Sequence, residues 1–221
     1  MRGVSWATPT AVMTTVAPAY AASCTSTFTA ALRTSSYTAT STTSGSGTAT
    51  PSTSGAQSLT YTVSSVPVAG ETLNVANLQP AGSSNVNPLG PVLRADSMQL
   101  QQKGALGGQT VTFTFPVSVT NLKLTIADID TATGSYQDLV GFSVAPTTVA
   151  KGSAVTGSGT YSDPFKAIAA GSVNSDTVAN QITASFAGPL TALSIRFSSG
   201  SGTSDQQIFL SGLSFTASST C

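Results

Sequence analysis

Three of the chain's seven aspartates lie within eleven positions, in the segment LTIADIDTATGSYQDLV at residues 124–140, while the flanking sequence is almost uncharged. Asp128 and Asp130 are two residues apart, so a continuing strand would place both side chains on one face. Asp138 follows after a turn rich in Thr, Ser and Gly. Three carboxylates with neighbouring hydroxyl and carbonyl oxygens can supply the roughly six to eight oxygen ligands that calcium takes. One hypothesis is therefore a calcium site formed by Asp128, Asp130 and Asp138.

Two other interpretations of these aspartates stay open. Aspartate is common in turns because its carboxylate accepts hydrogen bonds from nearby backbone amides. Asp128 and Asp130 would then cap turn amides while Asp138 starts the next strand, and we prefer this interpretation to the metal site. The segment is not an EF-hand, because Gly134 is the seventh residue and Leu139 the twelfth from Asp128. A carboxylate pair could also serve as the acid and base of a glycosidase, which we rank last.

The composition excludes several kinds of chemistry. The chain has no histidine, so Ser-His-Asp and Cys-His mechanisms in their usual form and His-ligated zinc or copper sites are excluded. Glu71 is the only glutamate, and the eight acidic and eight basic residues cancel. Only 7% of the residues are charged, against about 25% in an ordinary soluble protein. We therefore expect no nucleic-acid partner, no catalytic residues and no cofactor other than calcium.

Most of the chain shows the two-residue apolar alternation of half-buried strands, separated by turn-forming residues. In QTVTFTFPVSV, for example, Val111, Phe113 and Phe115 share one face and threonines the other. The segments with this pattern are 58–66, 71–78, 109–119, 121–128, 139–144, 180–186, 192–199 and 207–217. Regular turns between short strands imply antiparallel neighbours. We predict an all-β fold, an antiparallel β-sandwich that is jelly-roll-like and has about eight to ten strands.

The domain organisation follows from two stretches without an apolar stripe. Residues 22–57 are predicted to be an N-terminal strand followed by a Ser/Thr/Gly-rich loop, which occupies 34–57. Residues 78–97 are punctuated by Pro and Gly and predict a second loop that crosses between sheets. Residues 22–221 together are predicted to form a single β-sandwich domain.

The N-terminal residues 1–21 are predicted to be a signal peptide. A mildly apolar stretch ends in Ala19-Tyr20-Ala21, whose small first and third residues suit cleavage after Ala21. No other apolar run reaches the roughly 18 residues that span a membrane, so no transmembrane segment is expected in the mature chain. In an oxidising compartment Cys24 and Cys221 would form a disulfide that joins the termini. Lipidation of Cys24 and pairing between molecules are the alternatives.

Two segments carry a resemblance. The stretch RGVSWATPTAVMTTVAPAYAAS resembles export signals of secreted and surface proteins from high-GC Gram-positive bacteria, although Arg2 stands alone where a pair of arginines is usual. The segment FPVSVTNLKLTIADIDTATGSYQDLVGFSV resembles a recurring piece of bacterial adhesin-type surface β-domains. The resemblance implies an extracellular β-sandwich, secreted or associated with the cell wall, in which Asp128, Asp130 and Asp138 lie at a structural turn. It implies no reaction.

These observations rank three functions. The first is a secreted or surface-associated, non-enzymatic β-sandwich with a structural or adhesive role. Its partner would be a cell-surface component, a polysaccharide or a second copy of the chain. The second is a calcium-dependent carbohydrate-binding module, and the third is a secreted hydrolase that uses Asp128, Asp130 or Asp138.

Overall fold

The structure is a computed structural model, and it describes residues 23–33, 35–68, 70–81, 97–103, 107–168, 177–202 and 205–221. The predicted signal peptide, residues 1–21, lies outside the described residues, as do residues 82–96 of the predicted crossing loop. Within the described ranges no helix has the length and apolar character needed to cross a membrane.

The described residues form fifteen β-strands and one short 3₁₀ turn at Val178–Asn180. The strands pair with one another only in the antiparallel sense. In chain order they are β1 (Ser23–Ala30), β2 (Tyr37–Ala39), β3 (Ser44–Pro51), β4 (Leu59–Pro67), β5 (Thr72–Leu73), β6 (Met98–Lys103), β7 (Gly108–Ala127), β8 (Thr131–Ala132), β9 (Tyr136–Phe142), β10 (Thr148–Lys151), β11 (Val155–Thr156), β12 (Lys166–Ala167), β13 (Ile182–Phe186), β14 (Leu190–Gly202) and β15 (Gln206–Thr220).

Strand β7 is 20 residues long and belongs to both layers of the fold. Its first half pairs with β4 and β14, in a layer ordered β2-β3-β4-β7-β14-β9-β8. Its second half pairs with β13 and β15, and this second layer continues from β13 to β10 and from β15 to β1 and β6. Asn121, between the halves, has a φ of 51°. This left-handed residue interrupts the extended backbone where the strand passes from one layer to the other.

Aromatic side chains from the two layers fill the space between them. Phe142 of β9 packs edge-on against Phe186 of β13, with ring centroids 5.1 Å apart. Phe115 of β7 packs in the same way against Phe215 of β15 at 5.0 Å. All four rings are buried. Because each pair joins strands of different layers, these contacts hold the layers together as one core.

The first and last strands are neighbours. Strand β1 pairs along its whole length with β15, from Ser23 opposite Thr220 to Ala30 opposite Leu213. This pairing brings Cys24 and Cys221 to a Cα–Cα distance of 5.6 Å, and the two form a disulfide. The predicted disulfide between the termini is confirmed.

The predicted fold class, an all-β antiparallel sandwich, is also confirmed. Ten of the fifteen strands have four or more residues, and the remaining five are short pieces at edges and turns. Two predicted strands, 109–119 and 121–128, are parts of the single strand β7. The predicted strand at 71–78 is reduced to Thr72–Leu73, because the residues after it form turns.

The prediction of a loop over residues 34–57 is wrong. This stretch contains β2 and β3, and β3 pairs with β4 over six positions. Alternation is present in β3, but glycine occupies two of its three buried positions, and the third is Ala49. A side chain at Gly45 would collide with the ring of Tyr37, and one at Gly47 with the ring of Tyr61. The two buried tyrosines therefore supply the apolar surface that the strand itself lacks.

Candidate functional site

The predicted aspartate segment forms the hairpin from the end of β7 through β8 to β9. Thr131 Oγ1 donates a hydrogen bond to the carbonyl of Tyr136 at 2.9 Å and closes the turn. Gly134, at the tip, has a φ of 74°, a conformation that glycine adopts without steric cost. The short turn places Asp128 and Asp130, which precede β8, close to Asp138 in β9.

Asp130 and Asp138 are held together by a reciprocal pair of hydrogen bonds. The amide of Asp130 donates to Oδ2 of Asp138 at 3.1 Å, and the amide of Asp138 donates to the carbonyl of Asp130 at 3.0 Å. Asp138 is 1% exposed, and its Oδ1 has no hydrogen-bond partner. Asp138 lies in β9, and its carboxylate accepts the Asp130 amide within the hairpin. The prediction that Asp128 and Asp130 cap turn amides stays a prediction.

The electrostatic surroundings of Asp138 are acidic. Burial raises the pKa of the Asp138 carboxyl well above its ordinary value, and the neighbouring charges of Asp130 and Asp128 raise it further, against a smaller opposing effect of the hydrogen bond from the Asp130 amide. The hydroxyl of Tyr136 donates to Oδ2 of Asp130 at 3.2 Å. Burial and the nearby carboxylates also raise the pKa of Tyr136, so its phenol remains a donor at neutral pH.

Ile129, which lies between Asp128 and Asp130, anchors the segment to the rest of the fold. Ile129 is fully buried, and its amide donates to the carbonyl of Asn180 at 3.0 Å. The side-chain amide of Asn180 donates back to the carbonyl of Ile129 at 3.0 Å. Ile129 belongs to the core, whereas Asp128 and Asp130 line a cavity on the other side of the segment. Asp128 has a φ of 69°, which ends the strand β7.

On that other side lies a cavity of about 290 Å³, which we call the acidic–amide cavity. Strand β15 lies between β6 and the end of β7, and so brings residues of three distant segments to one place. The cavity is lined by Gln101, Asp128, Asp130, Tyr136, Asp205, Gln206 and Gln207.

Several of the lining side chains are fixed by hydrogen bonds to neighbours. Nε2 of Gln102 donates to Oε1 of Gln206 at 3.1 Å, and Nε2 of Gln99 donates to Oε1 of Gln207 at 2.7 Å. Asp205 is exposed at the rim and accepts a hydrogen bond from Asn74 at 3.4 Å. The carboxylates, amides and phenol therefore line a largely preformed polar recess.

The structure brings all three predicted site residues together, but in different roles. Asp128 and Asp130 line the cavity, whereas Asp138 is buried next to Asp130 and does not reach the cavity wall. Among the described side chains, no three of Asp, Glu, Cys or His are grouped so that they could hold one metal ion. The calcium site at Asp128, Asp130 and Asp138 stays a prediction.

Sequence reasoning missed Asp205 and the glutamines that complete the cavity. Gln101 is separated from Gln207 by more than a hundred positions in the chain, and only the pairing of β6 with β15 places them opposite each other. The available signal was the concentration of glutamine in MQLQQK at 98–103 and DQQ at 205–207.

No family model, no curated protein and no solved structure matches this chain.

Proposed function

We propose that this protein is an extracellular β-sandwich binding domain, secreted or surface-associated, that acts without catalysis and holds a saccharide in the acidic–amide cavity. The observation that carries the proposal is the lining of the cavity, in which all seven side chains are polar. Carboxylate oxygens accept hydrogen bonds, amides both donate and accept, and the Tyr136 phenol can do both. Such a set matches a ligand that presents several hydroxyl groups in fixed directions.

The size of the cavity favours a single sugar unit of a glycan. Its volume of about 290 Å³ is at the lower end of ligand sites, which span roughly 300–1,000 Å³. A longer glycan would place one unit in the cavity and extend over the adjoining surface. An adhesive or structural role then follows from binding a surface polysaccharide.

The extracellular setting rests on three features. The Cys24–Cys221 disulfide fits an oxidising compartment. The predicted signal peptide and the resemblance to bacterial surface domains favour the same location. Only 7% of the chain is charged, and a surface rich in Ser and Thr suits contact with uncharged polymers.

The arrangement of the carboxylates supports binding over hydrolysis. A glycosidase places two carboxyl groups on either side of the scissile bond, about 5 Å or more apart. Here Asp138 is buried, and its carboxylate accepts the amide of Asp130. A substrate could not enter between Asp130 and Asp138. The third ranked function, an Asp-dependent hydrolase, would have to use Asp128, Asp130 or Asp205 instead.

A calcium-dependent form of saccharide binding is the second candidate. The proximity of Asp128, Asp130 and Asp138 in one hairpin favours it, because carboxylate oxygens are the ligands that calcium takes in proteins. In this case saccharide affinity would be lost when calcium is removed by a chelator.

The test is a glycan array probed with the oxidised protein, followed by calorimetric titration of the saccharides that bind. Asp130→Asn should weaken binding, because the amide cannot replace the charge of the carboxylate. Asp163→Asn is the matched control, since Asp163 is exposed in a different loop, where it accepts the amide of Ser158 at 2.8 Å. Turnover of a bound glycan, or binding that Asp130→Asn leaves unchanged, would refute the proposal.

A further inference from the structure

Another recess lies on the outer face of the layer that contains β9 and β14, and we call it the tyrosine–arginine recess. It has a volume of about 160 Å³ and shares no lining residue with the acidic–amide cavity. Its lining consists of Leu139, Gly141, Tyr161, Pro164, Arg196 and Ser198. Two of these residues, Tyr161 and Arg196, have exposed side chains that are accessible to a ligand.

The loop at residues 157–165 holds the Tyr161 ring in place. Three backbone hydrogen bonds of 2.7–2.9 Å join β9 to Gly159 and Phe165, which lie on either side of Tyr161 in the chain. A Cβ added at Gly141 would lie 3.1 Å from Cδ1 of Tyr161, so the ring covers the position where β9 lacks a side chain. Tyr161 is nevertheless 44% exposed. The loop therefore presents an aromatic ring to solvent in a fixed position.

Arg196 lies next to this ring. It is opposite Gly141 in the pairing of β14 with β9, and opposite Thr110 in the pairing of β14 with β7. Burial raises the pKa of Tyr161, and the nearby positive charge of Arg196 opposes that effect. Among the described residues, no hydrogen bond or ion pair holds the Arg196 guanidinium. Its N–H donors are therefore available to a ligand.

The recess suits a single negative charge on a sugar ring. A guanidinium donates two parallel hydrogen bonds to a carboxylate, and its one charge balances a carboxylate but not a doubly charged phosphate. The electron-rich face of Tyr161 can pack against the C–H groups of a sugar. The hydroxyl of Ser198, two residues from Arg196 on the same face of β14, is a further polar partner. The volume is below the roughly 300 Å³ of ordinary ligand sites, so one sugar unit is the most that fits.

We propose that the tyrosine–arginine recess binds a uronic acid unit of an acidic polysaccharide, with the carboxylate on Arg196 and the sugar ring against Tyr161. The inference goes beyond the saccharide function proposed for the acidic–amide cavity and uses none of the cavity's residues. The ligand is a glycan that carries a carboxylate among neutral hydroxyl groups.

The experiment is an NMR titration of the oxidised protein at pH 6 with the methyl glycosides of glucuronic, galacturonic and mannuronic acid, each compared with its methyl ester. The ester keeps the sugar ring and removes the charge. We expect at least one acid to bind about tenfold more tightly than its ester, because its hydrogen bonds to the guanidinium are charge-assisted. The signals of the Arg196 Nε–H and of the Tyr161 ring should shift on binding. Added salt should weaken binding of the acid and have little effect on the ester.

Variants separate the contributions of the two side chains. Arg196→Gln should abolish the preference for the acid over its ester, and Arg196→Lys should retain only part of it, because an ammonium lacks the planar pair of donors. Tyr161→Ala should weaken binding of acid and ester by the same factor. Lys123→Gln is the matched control, since it removes one exposed positive charge from the half of β7 that belongs to the other layer, and it should retain the full preference. Asp130→Asn should retain it too, because Asp130 lines the acidic–amide cavity.

Several outcomes would overturn the inference. Equal affinity for acid and ester, or no binding of any of the three acids at millimolar concentration, would do so and would leave the proposed function of the acidic–amide cavity in place. An equal loss of preference in Arg196→Gln and Lys123→Gln would show only a general attraction of anions. Displacement of the acids by inorganic phosphate of similar affinity would show an unselective anion site. The comparison of acid with ester in the wild type does not require any variant to fold.

Discussion

Asp130 and Asp138 are bonded to each other through both of their backbone amides, one to a carboxylate oxygen at 3.1 Å and one to a carbonyl at 3.0 Å. The pairing of β8 with β9 places the two residues side by side, and the buried Asp138 side chain accepts the second hydrogen bond. The hairpin therefore concentrates negative charge at a fixed position beside the cavity. Repulsion between these carboxyls lowers stability unless a proton or another cation is present.

Replacing Asp138 by asparagine should not destabilise the free protein at neutral pH. The amide oxygen still accepts the Asp130 hydrogen bond, while the buried charge is removed, so we expect an increase of on the order of 1 kcal/mol in the free energy of unfolding. Asp138→Ala is the matched control, and should cost about 1–3 kcal/mol because the Asp130 amide loses its acceptor. Urea unfolding measures both. Equal destabilisation by the two substitutions would show that the charge of Asp138 is not unfavourable.

Asp138 should also make stability depend on pH. Its pKa in the folded protein is raised above the unfolded value of 3.8, so folding favours the protonated form. The stabilisation from that proton is fully present below pH 3.8 and is lost as the pH rises through the folded pKa. The free energy of unfolding of the wild type minus that of Asp138→Asn should therefore decrease from acidic to neutral pH. Parallel pH profiles for the two proteins would contradict this assignment.

Strand β3 should be intolerant of side chains at its inward glycines. Gly47→Ala would place a methyl group against the ring of Tyr61, and we expect a loss of roughly 1–3 kcal/mol in the free energy of unfolding. Ser46→Ala on the outward face is the control, and its effect should stay within about 0.5 kcal/mol. Chemical denaturation of both variants tests the prediction. A neutral Gly47→Ala would mean that Tyr61 does not pack on this strand.

The terminal disulfide should contribute substantially to stability. The two cysteines are separated by 197 positions in the sequence. A native disulfide typically contributes roughly 2–5 kcal/mol to the free energy of unfolding. Reductant should therefore lower the urea midpoint of the wild type and have no effect on a Cys24→Ser, Cys221→Ser double variant. If the wild-type midpoint is insensitive to reductant, either the bond does not form or the pairing of β1 with β15 suffices alone.

Several of the long strands were predictable from the alternation of apolar residues. The Val111–Phe113–Phe115 face and the inward residues of β13 show this, because burial of one face imposes a two-residue period on the sequence. The prediction failed at β3 because Gly45 and Gly47 occupy the inward positions and the apolar partners come from Tyr37 and Tyr61. Packing that relies on another strand's side chain leaves no apolar pattern in the strand itself.

The candidate site was predictable only in part, for a related reason. Asp128, Asp130 and Asp138 are close in sequence, so their proximity follows from a single hairpin. Gln101 and Asp205 reach the same cavity through the pairing of β6 with β15, which depends on the topology of the whole sheet. The two glutamine-rich segments are visible in the sequence, but local patterns do not specify that these segments pair with each other.

The central claim is that the acidic–amide cavity is the ligand site, and amide NMR tests it most directly. Side-chain NH₂ signals of Gln101, Gln206 and Gln207 are separate reporters on the cavity wall. On addition of a saccharide that binds on the glycan array, the account predicts that the largest shifts are those of these glutamines and of the backbone amides near Asp128 and Asp130. Shifts confined to the outer face of β3 and β4, with the three glutamine signals unmoved, would contradict it.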